Sequence, residues 1–250
     1  MASLIWLDDC SPFPDPESAL PEGLLAAGAN LTVERLSQAY HRGIFPWFNE
    51  GDPVLWWSPD PRMVLACDEF RLSQSLSKKL RQIARSEGSA SARVRVTTNL
   101  DFAAVIHACS EPRQAQHATW ISPAVQAAYT AWHHAGAAHS IETWIDGKLA
   151  GGLYGVCLGR FFFGESMFSR ATDASKIAIA YLIRFLSRRG IHHIDCQQQT
   201  SHLASLGAKP MSRQQFMVLL NRALQYAAPE WGRGEIWQSG ELASDKQETP

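Results

Sequence analysis

The order of apolar and polar residues divides the chain into segments of different period. A helix is predicted from Thr32, a good cap, to about His41, and Gly43 stands where such a helix ends. Further helices are predicted over Leu72–Arg85, over Leu100–Cys109 with Asn99 as cap, and over Ala124–Ala135. The last follows the start signal Ser122-Pro123 and stops at Gly136. Between the first two of these lies a Gly/Ser/Ala loop, Glu87–Ala92, and then Arg93–Thr97, which alternates as a half-exposed strand does. Three strand-like runs follow one another: His139–Ile145, Leu149–Leu158 and Arg160–Phe168. Asp146-Gly147 and Leu158-Gly159 fit the hairpin turns between them. A long amphipathic helix, Ala174–Arg189, ends at Gly190. A short strand, His192–Gln197, comes next, then a short helix, Thr200–Leu206, and a last helix from the cap Ser212 to about Tyr226.

Hairpin strands, long helix, strand and helix in that order predict an α/β (mixed α+β) layout with a mixed sheet. The order matches the second half of an N-acetyltransferase-like (GNAT-like) fold, whose sheet splays open to receive an acyl donor. The first sixty residues are rich in Pro, Gly and Trp, and read as a compact cap with short strands. The expected organisation is a small N-terminal domain over 1–61, a larger domain with this N-acetyltransferase-like layout over 62–238, and a polar, disordered tail over 239–250.

Composition narrows the classes. The 250 residues are 46% hydrophobic and 19% charged, with a formal net charge of −1. Any nucleic acid must therefore be held by a local basic patch. No apolar stretch is long enough to span a membrane, and the acidic, Pro-rich start lacks the basic region of a secretory signal. The five cysteines (Cys10, Cys67, Cys109, Cys157, Cys196) are scattered and make no zinc spacing. An odd count without a framework fits a reducing cytoplasm.

Three positions stand out chemically. Glu165 lies in the run Phe161-Phe162-Phe163-Gly164-Glu165-Ser166-Met167-Phe168. A carboxylate in so aromatic a strand is either paired or used, or else points to solvent at the strand end. Asp195 and Gln197 are two apart in Ile194-Asp195-Cys196-Gln197, which puts them on one face of a strand. Asp195 either orients the Gln197 amide or satisfies nearby backbone N–H groups. Cys196, between them, reads as a small buried residue; a Cys/His site with His192, His193 or His202 is the alternative. Leu153, Phe162, Ile179, Leu182 and Ile194 either line a pocket or are plain core. Arg71, Lys78, Lys79, Arg81 and Arg85 form either a phosphate-binding surface or a solvated helix face.

Two signatures are missing: the GxxxxGK[ST] loop of ATP sites, and the Arg/Gln-x-x-Gly-x-Gly turn with which acetyl-CoA enzymes of this fold bind pyrophosphate. Met167–Asp173 stands in its place, which points to a different acyl donor. The longer motifs are Gly23-Leu24-Leu25-Ala26, Gly43-Ile44-Phe45-Pro46-Trp47, Trp56-Trp57-Ser58-Pro59-Asp60-Pro61-Arg62, and Thr119-Trp120-Ile121. After them come Gly164-Glu165-Ser166-Met167-Phe168-Ser169, Ala174-Ser175-Lys176, Ile194-Asp195-Cys196-Gln197, and His202-Leu203-Ala204-Ser205-Leu206-Gly207-Ala208. In this order, from about Phe13 to Trp237, they resemble the leucyl/phenylalanyl-tRNA–protein transferases. One departure is Gly28-Ala29-Asn30, where that family usually reads Gly-Gly-Asp.

The resemblance implies transfer of Leu, and less readily Phe or Met, from Leu-tRNA, Phe-tRNA or Met-tRNA to proteins beginning with Arg or Lys. This tags them for degradation by the N-end rule. It implies that Asp195 and Gln197 activate the incoming amine, that Glu165 helps hold the acceptor, and that Trp47 and Trp120 flank the site. No metal and no small-molecule cofactor is expected, and the compartment is the cytoplasm. An aminoacyl-tRNA is an activated ester, and an α-amine with a pKa of about 7.7–8.0 is partly neutral at pH 7. Positioning and a hydrogen bond from the amine to a Gln197 carbonyl oriented by Asp195 then suffice. An acyl-CoA transferase, a non-catalytic binder of tRNA ends or N-termini, and a Cys196 hydrolase are the competing expectations.

Overall fold

The computed structural model describes residues 4–112 and 119–246. Ile5–Leu7 (β1), Leu24–Gly28 (β2), Phe45–Pro46 (β3) and Leu55–Trp57 (β4) form a small sheet in the order β1-β2-β4-β3. Val33–Tyr40 (α1) lies between β2 and β3, and the Thr32 side chain caps it by accepting from the Arg35 N–H. Trp56 is fully buried, and its indole donates to the Gly28 carbonyl at 2.9 Å.

The larger sheet has eight strands: Arg62–Ala66 (β5), Val94–Thr98 (β6), Ala138–Ile145 (β7), Lys148–Leu158 (β8), Phe161–Ser169 (β9), His193–Gln197 (β10), Lys209–Met211 (β11) and Gly234–Glu235 (β12). Their order is β11-β5-β10-β9-β8-β7-β6-β12. The run β6 to β9 is antiparallel throughout, and β10 joins it parallel to β9. Asp146 and Gly147, at φ 51° and 74°, make the two-residue turn between β7 and β8. This is the mixed α/β layout that the element order predicts. β5 has no alternation to betray it: both of its faces are buried, so Arg62, Met63, Val64 and Leu65 are all covered.

Gln74–Ala84 (α2), Phe102–Ser110 (α3), Pro123–His134 (α4), Ala174–Arg188 (α5), Ser201–Ser205 (α6) and Arg213–Ala223 (α7) complete the fold. On one face of the large sheet, Phe102, Tyr129, Phe161, Phe163 and Phe216 share a core with Tyr40 and Trp56 from the small-sheet region. On the other face, α2 and α5 cover Leu65, Leu153, Phe162 and Ile194 together with Trp231 and Leu242 from the C-terminal segment. Gly151 lets α5 come this close, because a Cβ there would stand 2.6 Å from that of Ala174.

Two expectations are corrected. Asn99 does not cap α3; it takes a left-handed φ of 54°, and Asp101 caps by accepting from the Ala104 N–H. The Asn99 amide instead ties Ser140 and Gly232 together, which is what a short polar side chain in that backbone region can do. The tail expected as disordered over 239–250 packs on the fold as far as Asp245, and residues 247–250 lie outside the described ones. Leu242 is buried, Arg184 donates to the Gln238 carbonyl, and Arg188 pairs with Glu241. One apolar anchor and a few arginine contacts hold a segment whose composition reads as disordered.

β9 and β10 pair only at Phe162/Ile194 and Phe163/Asp195. Beyond these rungs the strands part, and each carries an irregularity at the parting. The β8–β9 register shifts so that Glu165 is the extra residue, and the β10–β5 register shifts so that Cys196 is. Bulges of this kind re-aim side chains.

Candidate active site

Arg62 and Asp195 form a buried ion pair, 1% and 0% exposed, with Nε–Oδ1 at 2.9 Å and Nη2–Oδ2 at 2.6 Å. The third arginine nitrogen donates to the Gly43 carbonyl at 3.0 Å, and Phe45 and Phe216 stack against the guanidinium, each at 4.6 Å. The pair therefore joins β5 and β10 to the loop that follows α1. Asp195 Oδ1 also accepts the backbone N–H of Gln197 at 2.8 Å.

Gln197 has a left-handed φ of 61°. In a regular strand it would share a face with Asp195, as the two-residue spacing predicts. The bulge breaks that alternation. Ile194, Cys196 and Gln197 all line one cavity, whereas Asp195 lies behind it. Asp195 thus holds the Gln197 backbone and makes no bond to its side-chain amide, so the expected carboxylate–amide contact is replaced by a carboxylate–backbone one.

The Gln197 Nε2 donates instead to Glu165 Oε1 at 3.1 Å. Tyr40 of α1 donates to the same oxygen at 2.7 Å, Tyr129 of α4 contacts Oε2 at 3.2 Å, and the two phenol oxygens are 2.5 Å apart. Burial raises the Glu165 carboxyl from an ordinary 4.5 to about 7. The hydrogen bonds from Tyr40 and Gln197 oppose that rise, and nearby Asp195 adds to it.

The cavity is about 450 Å³. Leu153, Phe162, Ile179, Leu182 and Ile194 line it with Met167 and Leu203, and the same five belong to the buried core under α5, so they are lining and core at once. Trp120 stands on its wall, and the exposed Thr200 and His202 mark its open side. Trp47 is elsewhere: it is 39% exposed and packs edge-on to Trp57 with ring centres 5.5 Å apart. Cys196 belongs to the cavity lining, but burial, with help from Asp195, pushes its pKa far above neutrality. A thiol held protonated is a poor nucleophile. On α2, Arg81 and Lys78 are exposed, as are Arg71 before the helix and Arg85 at its end. Lys79 is half-buried and paired with Asp173. Leu76, Leu80 and Ile83 anchor α2 in the core that also holds Ile179 and Leu182, so the basic face and the cavity share one side of the sheet.

Residues 64–221 match the family described as leucyl/phenylalanyl-tRNA protein transferase, and residues 29–60 match the N-terminal domain of the same family. The chain belongs to the leucyl/phenylalanyl-tRNA–protein transferases. It is 58% identical over 241 residues to the protein of that name from Bordetella petrii, covering 96% of this chain and 95% of that one. It is 52% identical to the one from Janthinobacterium sp., covering 88% and 92%. A GCN5-related N-acetyltransferase from Kribbella flavida superposes with a TM-score of 0.35 at 10% identity, over 70% of this chain and 60% of that one, a likeness too distant to carry weight.

In this transferase Glu165 is bonded to two residues that the sequence did not single out, Tyr40 and Tyr129, and a third, Arg62, holds Asp195. On α1 and α4 the tyrosines occupy buried positions indistinguishable by spacing from any core aromatic. Arg62 gives one signal, an arginine within an otherwise apolar run, Met63-Val64-Leu65-Ala66. No helix among the described residues is long and apolar enough to cross a membrane.

Proposed function

We propose that this chain transfers leucine or phenylalanine from an aminoacyl-tRNA to the N-terminal amine of an acceptor protein, at the cavity between β9 and β10. Leu153, Phe162, Ile179, Leu182 and Ile194 receive the aminoacyl side chain. An apolar cavity distinguishes one methylene by only about 1–3 kcal/mol, so Leu-, Phe- and Met-tRNA overlap as donors. Proteins beginning with Arg or Lys are the acceptors, and the setting is the cytoplasm. The exposed Arg71, Lys78, Arg81 and Arg85, with Lys79 beside them, meet tRNA phosphates, which position the tRNA without reading sequence. Trp120 borders the reacting end from the cavity wall, and Trp47 contacts substrate from outside it.

The reaction needs one proton moved. The amine nitrogen attacks the ester carbonyl, the bond to the ribose oxygen breaks, and a proton passes from nitrogen to that oxygen. The observation that carries the reading is the state of Gln197. Its Nε2 is committed to Glu165, and its Oε1 accepts no hydrogen bond among the described residues. Gln197 lines the cavity, and in this reading its Oε1 accepts from the attacking amine. Asp195 acts as a positioning residue by fixing the strained Gln197 backbone, and Glu165 faces the acceptor amine from the other side. Approach and orientation supply much of the acceleration.

Leu-tRNA, Phe-tRNA and Met-tRNA, each offered with peptides beginning with Arg, Lys or Ala, test donor and acceptor together. The proposal expects transfer to Arg and Lys peptides from all three donors. Transfer to the Ala peptide at an equal rate would contradict the acceptor assignment. tRNA bound without turnover would make the protein a binding module.

A further inference from the structure

Three oxygen-bearing groups close a ring at the parted strands: the Glu165 carboxyl, the Tyr40 hydroxyl and the Tyr129 hydroxyl, with contacts of 2.7, 2.5 and 3.2 Å. A hydrogen bond needs one proton per contact. With Glu165 ionised, the two phenols bring two protons to three contacts. If both donate to the carboxylate, their oxygens face each other at 2.5 Å with no proton between them. If Tyr129 donates to Tyr40 instead, an anionic carboxylate oxygen faces the lone pairs of Tyr129. The first arrangement leaves the 2.5 Å contact repulsive, and the second sets a buried anionic oxygen against phenol lone pairs at 3.2 Å.

A protonated Glu165 removes the conflict. Oε1 is then the carbonyl oxygen, and its two lone pairs accept from Tyr40 and from Gln197 Nε2. Oε2 carries the proton and donates to Tyr129, Tyr129 donates to Tyr40, and every contact has its proton. The other groups facing the ring do not disturb this count. Asp195 on β10 commits its oxygens to Arg62 and the Gln197 N–H, and burial keeps the Cys196 thiol protonated. The Tyr154 hydroxyl on β8, also held protonated by burial, makes no hydrogen bond among the described residues.

We infer that Glu165 holds a proton in the free enzyme, as the acid of a closed ring with Tyr40 and Tyr129. Tyr40 and Tyr129 are thereby positioning residues that set its protonation state, and Tyr40 brings the small-sheet region into the site. The use of that proton rests on the function proposed above: Glu165 gives it to the departing ribose oxygen, and the amine nitrogen returns one to the carboxylate. The proton itself does not depend on that function.

The test is a carbon-13 titration of the full-length protein labelled at glutamate carboxyls. The Glu165 signal is identified by its absence in Glu165→Gln. The ring predicts that Glu165 is protonated on the acid side of neutrality, and that Tyr129→Phe lowers its titration midpoint, because the neutral acid loses the hydroxyl to which it donates. If Tyr129 only donated to a carboxylate, the same change would raise the midpoint, and that rise would overturn the ring. Should Tyr129→Phe fail to fold, infrared spectra of wild type against Glu165→Gln decide the matter. A carboxylic-acid carbonyl band unique to wild type at mildly acid pH is expected, and its absence refutes the inference. A protonated Glu165 without aminoacyl transfer would leave the ring standing and remove the function. Transfer with an ionised Glu165 would do the reverse.

Discussion

Asp195→Asn keeps the size of the side chain and an oxygen for the Gln197 N–H, but it strands Arg62. That guanidinium is 1% exposed, and its nearest carboxylate, at 2.6 Å, would be gone. Removing one partner of a buried pair costs about 3–5 kcal/mol. For a chain of this length each kcal/mol lowers Tm by about 2–4 °C, so a fall of roughly 6–20 °C is expected. Arg62→Met combined with Asp195→Leu replaces both charges by apolar groups, and should recover stability to within about 2 kcal/mol of wild type. With leucine in place of Asp195, the Gln197 N–H would lose its acceptor at φ 61°. Stability should therefore return while kcat stays low and the KM for tRNA changes little. Tryptophan fluorescence follows unfolding, and label transfer from Leu-tRNA follows the rate. The reasoning fails if Asp195→Asn costs less than about 1 kcal/mol, or if the double variant restores stability and kcat together.

Other consequences follow from the same geometry. Between 4.5 and about 7 the folded Glu165 binds a proton that the unfolded chain has released, so its contribution to stability is full at low pH and is lost as pH rises through 7. Unfolding from pH 5 to 8 should show wild type losing about 2.5 kcal/mol relative to Glu165→Gln; a pH-independent difference would contradict this. Gln197→Gly relieves a left-handed backbone worth about 1 kcal/mol, yet removes the amide. The variant should unfold within about 1 kcal/mol of wild type while transferring about 100-fold more slowly. Leu153→Ala enlarges the cavity, and the ratio of Phe to Leu transfer should rise about tenfold. An unchanged ratio would place the aminoacyl side chain elsewhere.

The fold was largely legible because its long elements obey simple periods and end at caps and glycines. Thr32, Ser122-Pro123 and Ser212 all cap helices as they read. The site was legible by residue but not by geometry. Glu165 and Gln197 stand out as polar residues in apolar strands, yet strand alternation cannot say where they point once each strand carries an irregularity. Asp195 and Gln197 look like a pair, and the backbone turn at Gln197 is what separates them. Tyr40 and Tyr129 were silent because a buried tyrosine leaves the same pattern as a buried phenylalanine. Asn99 and Asp101 are both good caps, and only packing against Ser140 and Gly232 decides between them.

The most direct measurement offers the protein radiolabelled Leu-tRNA with two peptides, one beginning with free Arg and one with acetyl-Arg. Label only in the free-amine peptide is predicted. Label in both peptides, or in neither while the tRNA remains bound, would contradict transfer to an N-terminal amine.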